Sequence, residues 1–109
     1  MKQLKIAANK GDKPMVINNL FIKLKKRDKD SISEAVKMLE RLKGNIPELV
    51  ESVVKTDIRA GESAFDIMLI NTFNSAEDMP LYLKHPVHVE VGSYIAEAKE
   101  QSVSLCYEV

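Results

Sequence analysis

Apolar and polar positions alternate along Met15 to Lys25 in two interleaved sets. Val16, Asn18, Leu20, Ile22 and Leu24 share one face, while Ile17, Asn19, Phe21 and Lys23 share the other. A period of two predicts a strand, and apolar residues on both faces predict a central one. Lys26 to Asp30 reads as a solvated turn. Ser31 then opens a helix, with Glu34 three residues on completing a capping box. Ile32, Ala35, Val36, Leu39 and Leu42 recur at helical spacing on one stripe, and Gly44 ends the helix.

The pattern then returns to a period of two. Ser52 to Ala60 carries Val53, Lys55, Asp57 and Arg59 on one side, which suits an edge strand. Gly61-Glu62-Ser63 turns the chain into Ala64 to Phe73, a strongly apolar segment predicted to be central. Ser75 and Asp78 are placed to cap a short helix through Lys84, with an irregularity expected at Pro80. His85-Pro86 breaks that helix and starts another, on which Val87, Val91, Tyr94, Ile95 and Ala98 form an apolar side. Ser102 to Val109 alternates as a last strand, with Val103, Leu105, Tyr107 and Val109 on one face.

The order β-α-β-β-α-β predicts an α+β, ferredoxin-like domain: a four-stranded antiparallel sheet with helices on one face. The second face of the central strands is also apolar, and no third layer remains to cover it. The same face of a second copy is the simplest cover, so a homodimer closing into an α+β barrel is expected, with Leu20 taken as an interface position. Residues 1–14 hold lysines and the turn residues Gly11-Asp12-Lys13-Pro14 and read as an appended arm, with Leu4 and Ile6 as anchors; residues 15–109 form the domain.

Composition narrows the function classes. The chain has 109 residues, 16 basic and 16 acidic, so nothing steers it towards nucleic acid or an acidic membrane surface. No apolar run approaches membrane-spanning length, no leader is recognisable, and the lone Cys106 allows no internal disulfide; a cytoplasmic location is expected. There is no glycine-rich phosphate loop, so no cofactor is expected. No metal is expected either, because His85 and His88 lack a third ligand of characteristic spacing. Cys106 has no base near it in sequence and is given no nucleophilic role.

One constellation carries more information. The strand ending at Phe73 leads into Asn74-Ser75, followed by Tyr82-Leu83-Lys84-His85-Pro86-Val87-His88. This stretch resembles that of the stress-responsive dimeric A/B barrel (Dabb) family, and the resemblance covers about residues 16 to 109. It implies a ferredoxin-like unit that dimerises sheet to sheet. It also implies a pocket tyrosine and histidine at Tyr82 and His88, the pair with which a plant cyclase of this family closes an aromatic ring. That cyclase has a further histidine early in its first strand. Ile17-Asn18-Asn19 stands here instead, with Asn18 left to bind a polar ligand group.

From the residues themselves, His88 falls in the first turn of a helix, where the dipole disfavours the imidazolium and leaves a neutral ring able to accept a proton. Tyr82 is placed to orient a ligand through its hydroxyl. His85, held extended before Pro86, is read as a loop anchor that could also touch a ligand. Three functions follow. The first is a domain of uncharacterised, stress-associated activity whose barrel holds a small, mostly apolar molecule. The second is a small enzyme (a cyclase, lyase or cofactor-free oxygenase) using His88 and Tyr82 on a carbonyl or phenolic compound. The third is a structural interaction module with a filled interior. A hollow interior with His88 facing it separates the first two from the third.

Overall fold

A computed structural model describes residues 13–109. The elements run β1 (Val16–Leu24), α1 (Lys29–Glu40), β2 (Leu49–Thr56), β3 (Ile67–Phe73), α2 (Asp78–Lys84), α3 (Pro86–Ala98) and β4 (Lys99–Glu108). The four strands form one antiparallel sheet in the order β2-β3-β1-β4. The ferredoxin-like plan is therefore present, with the second helical segment split in two at His85. β1 and β3 are central and β2 lies at an edge, as their residue patterns predict.

Register explains which residues face the helices. Ile22 pairs with Ile67, Leu20 with Leu69, Asn18 with Asn71 and Val16 with Phe73. This face meets Ala35, Leu39 and Leu42 from α1 and the turn after it, and Val91 and Ile95 from α3, in a single core. Phe73, Ile22 and Ala35 are fully buried. Each large side chain taken out of water here contributes roughly 1.5–3 kcal/mol. Leu20 belongs to this face and packs against the core, so it is not a position on the open sheet surface.

Among the described residues no element covers the opposite face. Phe21, paired with Met68 on one side and Val103 on the other, sits in its centre. Ile17, Ile70, Leu105 and Tyr107 extend the patch, and Leu105 is 65% exposed.

Local chemistry moves several boundaries. Asp28, not Ser31, caps α1: its carboxylate accepts from both the backbone N–H and the hydroxyl of Ser31. A carboxylate outcompetes a hydroxyl for these orphan donors. The helix stops at Glu40, and Gly44, at φ 78°, turns the chain that follows. Pro80 causes no break, because it sits third in α2, where no intrahelical partner awaits its nitrogen. Ser75 is buried and gives its backbone carbonyl, not a side-chain cap, to Asp78.

Asp66 is 6% exposed and accepts from the Leu24 backbone and from Arg27 Nε, while Arg27 also donates to the carbonyls of Gly61 and Ala64. This clamp fastens the β2–β3 connection to the end of β1. Met15 is buried and its carbonyl accepts from Val109, so the packed unit reaches back to Met15. Lys13 pairs with Glu77 at the surface. The remainder of the expected arm, including Leu4 and Ile6, lies outside the described residues.

Candidate functional site

The break between α2 and α3 builds the site. Pro86 occupies the first position of α3, where its missing N–H costs nothing. His85 is extended (φ −63°, ψ 137°), as a residue before proline must be, and its Nδ1 accepts from the Val87 backbone at 3.1 Å. His85 is thus the N-cap of α3. With Nδ1 committed to backbone, it anchors the loop, and it is not among the residues lining the cavity that Tyr82 and His88 share.

The cap places His88 in the first turn of α3 with its ring turned back on α2. Nδ1 lies 3.1 Å from the carbonyl oxygen of Leu83. A carbonyl only accepts, so Nδ1 carries the proton, and in the neutral ring Nε2 holds the lone pair. One turn on, Gly92 keeps the ring's other edge free: a Cβ there would stand 3.6 Å from Cε1 and 4.0 Å from Nε2 of His88. The ring centroid is 4.5 Å from that of Tyr82, which in turn packs edge-on against Phe73 at 5.0 Å.

Tyr82 is 6% exposed, more deeply buried than a pocket-rim tyrosine. Burial pushes its phenol up from 10.0 to about 12, and a hydrogen bond from Asn71 offsets part of that rise. Tyr82 and His88 line one cavity of about 190 Å³ between the sheet and the helices, walled by Leu20, Leu69, Leu39, Val91 and Ile95 and bordered by Gly92, Lys99 and Ser102. The lining is mostly aliphatic, with polar groups at a few points, which suits a small and largely apolar molecule.

Asn18 is not part of this lining. It sits on the helix-facing side of β1 opposite Asn71 and Cys106. Cys106 is exposed, with its Sγ 3.5 Å from Met79 Sδ. Among the described residues no three His, Cys, Asp or Glu side chains are grouped to hold a metal ion. Sequence reasoning missed Asn71 and Ser52. Asn71 is 1% exposed and bonds to both Ser52 and Tyr82. Its signal was a polar residue at a core-facing place in the alternation Ile67, Leu69, Asn71, Phe73.

The profile of the stress responsive A/B barrel domain matches residues 19–109. The chain belongs to that family. A dimeric ferredoxin-like protein of unknown function from Bacteroides fragilis is 26% identical, with a TM-score of 0.75 over 87% of this chain and 96% of that one. A dimeric ferredoxin-like protein of unknown function from Thermobifida fusca aligns at TM-score 0.78 and 16% identity, over 89% and 92% of the two chains. A hydroxynitrile lyase from Passiflora edulis aligns at 0.76 and 22% identity, over 88% and 94%. No curated protein matches the sequence. These solved structures thus share the ferredoxin-like architecture with this chain, and several of those that align are described as dimeric proteins of unknown function.

Proposed function

We propose that this A/B barrel protein, with residues 15–109 as its folding unit, is a homodimeric small-molecule-binding domain active in a stress-associated setting. Its cavity takes a small, mostly apolar compound bearing a carbonyl or hydroxyl group. The observation that carries the reading is a hollow between sheet and helices that is mostly aliphatic, with the paired rings of Tyr82 and His88 in its wall and Lys99 and Ser102 at its border. Two copies pair through the open sheet face. The apolar surface around Phe21 supports this pairing, as do the neighbours described as dimers.

A second reading has its own support: a lyase or cyclase working by proton transfer. The Leu83 carbonyl leaves His88 Nε2 as a fixed acceptor, and Tyr82 keeps a phenolic proton beside it. The hydroxynitrile lyase from Passiflora edulis lends this reading an analogy of fold and no more.

Titration with acetophenone, followed by NMR on the aromatic side chains, tests the binding site. The expected result is movement of the Tyr82 and His88 ring signals, with binding weakened several-fold in His88→Ala. The variant's melting temperature should stay within a few degrees of the wild type, because His88 lies outside the packed core. Ring signals that stay still at millimolar ketone, or collapse of the fold in His88→Ala, would show that the residue is structural.

A further inference from the structure

Three polar side chains run in file through the apolar, helix-facing side of the sheet. Ser52 of β2 stands opposite Asn71 of β3. Ser52 Oγ is 2.6 Å from Asn71 Oδ1, and Asn71 Nδ2 is 3.0 Å from Tyr82 Oη. All three are buried, at 6%, 1% and 6% exposure.

An amide can be turned end for end without changing its shape, so the fate of the hydroxyl protons decides which way it points. With Oδ1 towards Ser52, the serine proton has an acceptor, the amide donates to Tyr82, and the proton left over is that of Tyr82, which lines the cavity. With the amide turned, Nδ2 would donate to Ser52 and Tyr82 to Oδ1, and the proton left over would be that of Ser52, which is buried away from the cavity lining. The first arrangement leaves its spare proton where a ligand can take it and gives the file a direction, from Ser52 through Asn71 to Tyr82. A phenol oxygen that already accepts has its own proton to give, and among the described residues no acceptor takes it. Burial also keeps that phenol protonated.

We propose that Ser52 and Asn71 are positioning residues that make Tyr82 a committed hydrogen-bond donor into the cavity. The site therefore selects ligands that present an acceptor oxygen, a carbonyl or an enolate, to Tyr82. His88 Nε2 offers the complementary acceptor, so the same ligand carries an acidic C–H or O–H on that side. The inference rests on the reading of the cavity as a small-molecule site.

Two measurements test it. The first needs no ligand: the tyrosine Fermi doublet in the Raman spectrum, isolated as the difference between wild type and Tyr82→Phe, reports whether a phenol accepts or donates. An acceptor pattern is expected in the wild type, and a donor pattern in Asn71→Asp, where a carboxylate draws the proton away from the cavity. A donor pattern in the wild type overturns the relay and leaves the cavity reading intact. The second compares acetophenone with α-methylstyrene, which has the same shape and lacks the oxygen. Asn71→Asp should weaken acetophenone about tenfold and abolish the lowering of its bound carbonyl stretch, while α-methylstyrene is unaffected. Equal weakening of both probes assigns Asn71 a packing role and overturns the proposal. Ser52→Ala, a smaller change, should shift the doublet and the carbonyl stretch in the same directions if Asn71→Asp fails to fold. Failure of the wild type to bind either probe overturns the small-molecule reading and the ligand half of this proposal with it.

Discussion

Tyr82 is stored in the fold as a neutral phenol, and this has a consequence for stability. Its folded-state value, about 12, lies above the ordinary 10.0, so the native state holds its proton more tightly than the unfolded chain does. The associated stability is complete below pH 10 and drains away as pH rises from 10 towards 12. Tyr82→Phe removes the titrating group. The expected outcome is an alkaline unfolding limb that becomes shallower in urea titrations between pH 9 and 11, a window chosen around that 10.0. At neutral pH the variant should lose about 1 kcal/mol, the worth of the Asn71 hydrogen bond, since the ring's packing on Phe73 remains. An alkaline limb identical to that of the wild type would mean that Tyr82 does not ionise as the chain unfolds. The placement of His88 in the first turn of a helix was open to sequence reasoning because a His-Pro break dictates local geometry. Asn71 and Ser52 were not, since their meaning lies in a cross-strand pairing of residues 19 apart.

At the scale of elements, periodicity carried the strands and helices, and the errors cluster where side chains compete for backbone groups. The strand centres could be read because a period of two on β1 and β3 leaves no other way to bury Ile22, Leu24, Leu69 and Phe73 together. The caps could not, because Asp28 and Ser31 are both plausible and only the folded geometry shows Asp28 binding Ser31 twice. The Asp66 clamp was invisible for the same reason. Its carboxylate joins Leu24 and Arg27, more than thirty residues away in sequence. Asp66→Ala would leave the Leu24 N–H and the Arg27 guanidinium without their shared acceptor, at a cost of about 2–3 kcal/mol. Chemical denaturation should show the loss. Asp66→Asn, which still accepts from Leu24, should recover part of it; equal losses in the two variants would place the clamp's worth in Arg27 alone.

The whole molecule poses a different problem, because one face of its sheet has no covering layer among the described residues. Phe21, Met68, Ile70, Val103 and Leu105 form one continuous apolar surface across three strands, while the helices are all spent on the other side. A monomer would expose this patch to water, and pairing two copies through it removes both patches at once. Phe21 is the sharpest place to test the pairing, since it lies on central β1 between Met68 and Val103 and takes no part in the helix-facing core. Phe21→Asp would put a charge into the centre of the paired sheets with no cation of the same face directly across from it, and an unpaired buried charge is costly. Light scattering at micromolar concentration should give twice the 12.3 kDa chain mass for the wild type and a falling average for the variant. The melting temperature of the wild type should rise with protein concentration, and that of the variant should not. Leu20→Asp strikes the helix-facing core instead and should unfold the chain at any concentration. A Phe21→Asp protein that remains dimeric would place the interface elsewhere, with the open sheet left as a surface for another partner.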